Sequence, residues 1–249
     1  MASDSAATYS DSRAETIEQQ HVTKIHEIER AILFSSSGSF GIAHLLEDQI
    51  RRKWLNEYKK GEVTAAEFMG GVSKLHHDTL QHLFHSAAML GQAGHRNAFA
   101  SVTCVCLVAL PVLGEPCLFQ SDETGSPHQA THDLPFLALG AGQGIADPFL
   151  AFMKKILWTG APATLAEARL VAAWTIKHVV ETNPGGVGGK IQLATLSMRG
   201  RKPEIEFSDP DEHEQYIGEA EQSLRDHILK RKPTAALDIP RPDNEVHEG

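Results

Sequence analysis

The chain has 249 residues, enough for one large domain or two small ones with a substantial core. Its hydrophobic content of 41% and charged content of 22% are ordinary for a globular protein, and its net charge of −9 argues against nucleic acid as the main partner. No apolar run approaches the roughly 20 residues that cross a bilayer, and the segment MASDSAATYSDS has neither a basic start nor an apolar stretch. We therefore expect a cytoplasmic protein of one domain with tails, whose three cysteines are reduced core side chains.

Residues 1–21 are polar and contain no run long enough to predict a complete strand. The stretch Val22–Ala43 then predicts an extended run carrying Lys24, a turn, a second strand, a serine-rich elbow and the start of a helix. Gly38 lies where that strand meets the helix N-terminus, whose free N–H groups and partial positive charge suit an anion or a developing oxyanion. An ordinary strand-to-helix connection with a flexible glycine explains the same pattern.

Two helices follow this elbow, the first from about Gly41 to Lys60. Thr64 and Glu67 have the spacing of a capping box and open the second helix, which runs to about Leu90. The second helix is rich in histidine (His76, His77, His82 and His85). A metal site is conceivable there, but zinc sites usually draw ligands from more than one element, so we interpret the histidines as surface or interface residues that respond to pH near neutrality.

The middle of the chain predicts several strands connected by hairpins. A Val-, Cys- and Leu-rich run at 98–113 and the run Cys117–Phe119 predict two strands, and a further short extended pair ends at Phe136–Leu139. The loop Gly140–Gly144 follows and opens a third helix. This loop lacks both the GxGxxG spacing and a Walker Lys-Ser/Thr pair, so close packing of a helix on a strand explains its glycines as well as phosphate binding does.

Thr164 and Glu167 form a second capping box at the start of a fourth helix, and a strand follows at Gly188–Leu196. The order of strands, two helices, strands, two helices and strand favours an α+β fold, a four-layer αββα sandwich of two antiparallel sheets flanked by helix pairs. We assign 1–200 to this domain, 201–232 to a peripheral strand and helix, and 233–249 to a disordered tail.

Five segments of the chain resemble the proteasome-type N-terminal-nucleophile hydrolases, which include proteasome β subunits and their bacterial relatives. The segments are ASDSAAT at Ala2–Thr8, TKIHEI at Thr23–Ile28, SSSGS at Ser35–Ser39, ALGAGQGIADPFL at Ala138–Leu150 and GGVGGKIQLATL at Gly185–Leu196. Together with matching helix positions they cover roughly residues 1–200, and their order and spacing agree with the family's αββα layout.

The resemblance implies a threonine-type peptidase without cofactor or metal, in which an N-terminal threonine hydroxyl attacks a peptide carbonyl and its own α-amino group acts as base. By resemblance, Lys24 keeps the nucleophile's surroundings cationic, Asp4 orients Lys24, the Gly38 N–H supplies the oxyanion hole, and Ser39 shapes the substrate groove. The implied partners are a polypeptide substrate, further copies in a homo-oligomeric ring or stacked assembly, and an ATP-driven unfoldase, with no nucleic acid and no membrane.

The departures from the family concern the nucleophile itself. The family's nucleophile-bearing strand precedes the segment that matches Ala2–Thr8, so we expect this strand, roughly a dozen residues as a hairpin, upstream of Met1. Neither Thr8 nor Thr23 follows the glycine processing point, Ala141 replaces a supporting serine, and no second acid and serine are evident near 183–187. Either the native protein starts upstream, or the chain is an inactive member kept for assembly. An amidase built on the same plan is a third reading.

Overall fold

The computed structural model describes residues 1–11, 14–58, 63–94, 102–158, 161–183, 185–209 and 211–230. Its strands are β1 (Ala2–Ser3), β2 (Ala6–Asp11), β3 (Ala14–His21), β4 (Ile25–Ile28), β5 (Ile32–Gly38), β6 (Cys104–Val112), β7 (Glu115–Ser121), β8 (Pro127–Gln129), β9 (Gln192–Arg199) and β10 (Lys202–Ser208). Its helices are α1 (Phe40–Lys53), continued by a π-helical turn at Trp54–Tyr58, α2 (Ala65–Gln92), α3 (Gln143–Leu157), α4 (Leu165–Thr182) and α5 (Asp211–Lys230).

The strands form two antiparallel sheets and a separate hairpin. The larger sheet has five strands in the order β4-β5-β6-β7-β8, and the smaller has three in the order β1-β9-β10. Strands β2 and β3 pair only with each other among the described strands. The strands of the larger sheet lie in the same order as in the chain. Hairpins join β4 to β5 and β6 to β7 and β8, and the long α1–α2 segment connects β5 to β6.

Alternation along the strands places apolar side chains in three separate layers. On β5, Phe34 packs with residues of α1 and α2 such as Leu46 and Phe68, whereas its neighbour Leu33 packs against Leu196 of β9, between the two sheets. Further along β9, Leu193 packs on the other side with Ala173 of α4 and Ile217 of α5. The layers are therefore α1 and α2, the larger sheet, the smaller sheet, and the remaining helices, which confirms the predicted αββα sandwich.

Local signals located most helices correctly, and both capping boxes are formed. Thr64 and Thr164 each accept a hydrogen bond from the backbone N–H of the glutamate three residues on and donate their own backbone N–H to its carboxylate. Both strands of the Val22–Ala43 stretch are present, joined by a tight turn in which Glu29 and Arg30 have φ of 53° and 55°.

Two expectations about strands are wrong. Residues 1–21 were expected to hold no complete strand, yet they contain β1 and the β2–β3 hairpin, whose backbone pairing requires no apolar sequence pattern. Residues 136–139 were expected to be a strand, but they are not paired in a sheet. Pro135, directly before them, has no N–H to donate, and the glycines begin directly after them.

The C-terminal elements extend the smaller sheet. β10 pairs with β9 along its whole length, with Lys202 opposite Arg199 at one end and Ser208 opposite Leu193 at the other. α5 packs on α4 through the fully buried Ile217. The tail expected at 233–249 lies outside the described residues. None of the described helices is long and apolar enough to span a bilayer.

Candidate active site

Asp4 and Lys24 form an ion pair at one end of the two sheets. Lys24 Nζ donates to Asp4 Oδ1 at 2.7 Å, and the two side chains are 23% and 12% exposed. Asp4 Oδ2 accepts two further hydrogen bonds, from the backbone N–H of Ala6 and of Gly188, each at 3.1 Å. The carboxylate is therefore held in place by the backbone and in turn holds the lysine ammonium.

The backbone that carries Lys24 is held by two other side chains. Gln192 Oε1 accepts the Lys24 N–H at 2.8 Å, and Gln192 Nε2 donates to the Val22 carbonyl at 2.6 Å. His26 Nε2 lies 3.0 Å from the Thr23 carbonyl, and His26 Nδ1 lies 2.7 Å from Glu47 Oε2 on α1. These contacts bridge β4, β9 and α1 around a single residue.

Gly38 ends β5 beside this pair and has a conformation that other residues rarely adopt. Its φ is +107°, and a Cβ added to it would lie 2.4 Å from the Thr103 carbonyl oxygen. The next residue, Ser39, donates its N–H to that same carbonyl at 2.8 Å, so the Gly38–Cys104 pair is one that exchanges no hydrogen bonds. The Gly38 N–H therefore points away from β6, towards the edge of β5 on which β4 begins.

The register of β4 and β5 brings Lys24 and Gly38 to the same end of the larger sheet. The last pair of that ladder is Ile25 opposite Ser35. Lys24 comes directly before Ile25, and Gly38 comes three residues after Ser35, so both lie beyond this last pair. An ammonium, a carboxylate and an outward-pointing glycine N–H thus lie at the same end of the sheet, a combination that can stabilise a developing negative charge.

Two loops complete the surroundings of this end. A Cβ on Gly140 would lie 3.2 Å from Ser37 Oγ, so the loop before α3 lies directly against β5. Asn183 Nδ2 lies 3.3 Å from the Ala141 carbonyl, which connects that loop to the segment after α4. Ala141 therefore lies in a loop that borders the site, and its methyl group offers no hydrogen bond there.

The remaining predicted residues have other surroundings. Ser39 precedes α1 and is half-buried, but its side chain makes no capping hydrogen bond. His76 is fully buried, with Nδ1 2.7 Å from Ser121 Oγ, so this histidine belongs to the core and not to a surface face. Among the described residues, no three His, Cys, Asp or Glu side chains are grouped so that they could hold a metal ion.

Beside the site, the smaller sheet has an edge that is only partly paired. In the described part of the chain, β9 pairs with β1 only through Gln192 and Leu193, and Met1 exchanges two backbone hydrogen bonds with Ala194. A cavity of about 190 Å³ adjoins this edge. It lies between the sheets and α4, and its apolar lining includes Leu33, Ala109, Leu118, Leu165, Ala172 and Leu196.

Burial, with a smaller effect of Arg169, lowers the pKa of the Met1 α-amine to about 6.

Sequence reasoning missed the residues that fix the site without carrying its chemistry. Gln192 was one position in a predicted strand, and Gly188 was one glycine among several. No local signal marks them, because each acts on a partner distant in sequence, 168 residues away for Lys24 N and 184 for Asp4 Oδ2.

Comparison with solved structures gives the fold a name. Anbu (ancestral beta-subunit) from Yersinia bercovieri aligns with a TM-score of 0.65 and 14% identity over 95% of this chain and 94% of that one. Anbu from Hyphomicrobium sp. strain MC1 aligns with a TM-score of 0.61 and 15% identity, over 94% of both chains. The chain has a proteasome-like fold.

At this level of identity the likeness concerns the fold alone. A Gly-1 mutant of the Hyphomicrobium protein aligns equally well, with a TM-score of 0.65 and 14% identity over 94% of both chains. No family model and no curated protein matches the sequence.

Proposed function

We propose that the chain is a subunit of a proteasome-like, self-compartmentalised threonine-type peptidase that cleaves unfolded polypeptide in the cytoplasm. The observation that carries this proposal is the Asp4–Lys24 ion pair at the end of β5 where the Gly38 N–H points outward. An ion pair that is this well hydrogen-bonded also stabilises a fold, but its position at the same end of the larger sheet as the outward-pointing Gly38 N–H favours a catalytic role.

The proposed reaction is acyl transfer by an N-terminal threonine. Its hydroxyl oxygen attacks the peptide carbonyl, and its own α-amine takes the hydroxyl proton. The carbonyl oxygen becomes an oxyanion that the Gly38 N–H stabilises, while the Lys24 ammonium keeps the site cationic. The amine then returns the proton to the leaving peptide nitrogen, and water hydrolyses the ester to release the second product.

The proposal places the nucleophile on a hairpin encoded upstream of Met1. Continuation of β1 in its present register would pair with Thr195–Arg199 of β9 and bury apolar side chains in the adjoining cavity. The other strand of the hairpin, of similar length and antiparallel to this continuation, would have its first residue at the Asp4–Lys24 end.

A non-catalytic structural subunit is the second candidate, favoured by Ala141 and by the segment 183–187, which offers no acid or serine. An amidase with the same plan would act on a small substrate. We expect a homo-oligomeric assembly in each of the first two cases, and the description of the Yersinia protein as a beta-subunit supports that expectation. A polypeptide-degrading assembly would also use an ATP-driven unfoldase as partner.

The test begins with the DNA upstream of Met1. An in-frame Thr, Ser or Cys codon about a dozen positions earlier supports the peptidase, and an in-frame stop codon contradicts it. The longer protein should then hydrolyse a fluorogenic peptide, and Lys24→Ala should abolish turnover without changing the mass of the assembly. Lys202→Ala, an exposed lysine on β10, serves as the matched control. Full activity of Lys24→Ala would show that the site lies elsewhere.

A further inference from the structure

Gln192 is the first residue of β9, and its side chain reaches from the smaller sheet to the larger one. Ala194 and Leu196, further along β9, lie in the apolar layer between the two sheets. Because side chains alternate along a strand, Gln192 points to the same side as these two residues. Its amide therefore lies at the end of the layer between the sheets, where β4 begins.

Both ends of this amide are hydrogen-bonded to the backbone of residues 22–25. Oε1 accepts the Lys24 N–H at 2.8 Å and the Ile25 N–H at a longer 3.4 Å, and Nε2 donates to the Val22 carbonyl at 2.6 Å. A reversed amide would place its NH₂ group against two N–H donors and its oxygen against a carbonyl. The contacts therefore select one orientation of the amide and restrain the backbone that it holds.

The backbone that the amide holds lies outside the larger sheet. Ile25 opposite Ser35 is the last pair of β4 and β5, and residues 22–24 belong to no strand. The ladder therefore provides no partner for the Lys24 N–H or the Val22 carbonyl, and backbone groups that are partly removed from water need one. The Gln192 amide supplies the acceptor and the donor that a neighbouring strand would otherwise supply.

The main chain of Gln192 lies beside the other half of the ion pair. Gln192 is opposite Ser3 in the pairing of β9 with β1, and Asp4 follows Ser3 directly. In the same short segment, the Gly188 N–H donates to Asp4 Oδ2. Residues 188–192 thus hold the carboxylate of Asp4 and, through one side chain, the backbone of Lys24, so both partners of the ion pair are held by one piece of chain.

We infer that Gln192 is a positioning residue for Lys24. Lysine carries a point charge on a flexible four-carbon stem, so the place of its ammonium depends on where its backbone is held. Without the amide, residues 22–24 gain freedom, and Lys24 can contact Asp4 from a range of backbone positions. Its ammonium then has no single place relative to the Gly38 N–H. The catalytic meaning of this role rests on the proposed function, whereas the backbone restraint does not.

The first experiment measures the restraint by amide-resolved hydrogen exchange of the chain itself. Gln192→Met keeps the length of the side chain and removes its hydrogen bonds, so the protection of the Lys24 amide should fall about tenfold. Gln192→Glu has nearly the same shape and keeps the acceptor but not the donor, so it should lose less protection. It also provides the test if the methionine variant does not fold.

Two controls separate a local effect from a general loosening of the fold. Gln215→Met removes the amide of an exposed glutamine on α5 and should leave the protection of Lys24 unchanged. The Ser39 amide, which donates to the Thr103 carbonyl, should keep its protection in every variant. Unchanged protection of Lys24 in the Gln192 variants would overturn the inference, and so would an equal loss of protection at Ser39.

The second experiment measures catalysis in the longer, active protein. Gln192→Met should lower kcat about tenfold or more, because reaction rates depend steeply on the placement of the catalytic groups. KM should change little, since the amide contacts the backbone of Val22 and Lys24. Gln192→Glu should have an intermediate kcat, and Gln215→Met should keep both constants.

The two experiments distinguish this role from the proposed function. An inactive longer protein with the expected loss of Lys24 protection contradicts the proposed peptidase and leaves the restraint standing. An active protein in which Gln192→Met loses Lys24 protection but has normal kcat and KM contradicts the positioning role and leaves the peptidase standing.

Discussion

Asp4 is the residue whose loss we expect to disturb the candidate site most. Its carboxylate accepts from the Lys24 ammonium and from the N–H groups of Ala6 and Gly188, so it joins three separate segments of the chain. Lys24, by contrast, is held by its backbone through Gln192 as well as by its ammonium. The two halves of the ion pair are therefore not equivalent for stability.

This asymmetry predicts different costs for the two truncations. Asp4→Ala should lower the free energy of unfolding by about 2–4 kcal/mol, because two buried N–H groups and a cation lose their acceptor. Lys24→Met should cost about 1 kcal/mol or less, since Asp4 keeps both backbone donors. Urea denaturation measures both. Equal losses for the two variants would contradict the assigned role of the Ala6 and Gly188 N–H groups.

Gly38 provides a second prediction at the residue scale. Gly38→Ala should lower stability by about 1–3 kcal/mol, because its φ of +107° is strained for alanine and the new Cβ would meet the Thr103 carbonyl. Gly41→Ala, three residues on in α1 and with no atom within 4 Å of an added Cβ, should be neutral or stabilising by up to about 1 kcal/mol. Thermal or urea unfolding compares the two, and a neutral Gly38→Ala would show that the strand end can relax.

At the scale of the elements, α2 attaches to the larger sheet through a polar contact inside an apolar layer. His76 of α2 is fully buried and lies 2.7 Å from Ser121 Oγ, at the end of β7. Burial lowers the pKa of His76, against opposing effects of the Asp122 carboxylate and the Cys104 backbone. The neutral ring is therefore part of the packed state, and a proton on it weakens the attachment of α2.

The sign of this effect determines the pH dependence of stability. Because the pKa of His76 is lower in the folded protein than in the unfolded chain, its stabilising contribution is complete above about pH 6.5 and is lost as the pH falls below that value. His76→Gln should keep a hydrogen bond to Ser121 without titrating. It should therefore reduce the loss of stability between about pH 7 and pH 5, by at most about 1.4 kcal/mol per pH unit.

The matched control for this prediction is His77→Gln, at the exposed position that follows. Urea midpoints at the two pH values should change with pH in His77→Gln as in the unmodified protein. An unchanged pH dependence in His76→Gln would show that other groups account for the acid sensitivity.

For the whole molecule, the outer helices carry large apolar side chains that are exposed in the described part of the chain. They include Phe152 and Ile156 on α3 and Leu224 and Ile228 on α5, each more than half exposed. Exposed apolar groups that recur on one helix are typical of surfaces that bury themselves against another subunit. This agrees with the proposed assembly, in which each copy covers part of its neighbour.

We therefore expect a solution mass that is a multiple of 27.2 kDa, measured by light scattering after size exclusion. Acidic pairs at these positions, Phe152→Glu with Ile156→Glu or Leu224→Glu with Ile228→Glu, should lower that mass by placing charge in a subunit contact. Leu113→Glu, at an exposed turn residue, is the control. A monomer at all concentrations, or a mass unchanged by both pairs, would contradict the assembly or its assigned surfaces.

The sequence by itself determined the features that depend on short stretches of chain. Both capping boxes, the helices α1 to α5 and the hairpin of β4 and β5 follow from side chains within a few residues of one another, and their order leads to the sandwich. The sequence also predicted roles for Asp4, Lys24 and Gly38. The first two predictions came from the resemblance, and the third came from the position of Gly38 between a strand and a helix.

Only the tertiary structure decided which groups meet. Gln192 reaches the backbone of Lys24 across 168 residues, His76 turns into the core to meet Ser121, and residues 136–139 remain unpaired although their composition suits a strand. Helix caps and turns depend on neighbours along the chain, whose distance is constrained by covalent geometry. Contacts between distant segments depend on how whole layers pack, and no local pattern of residues encodes that distance.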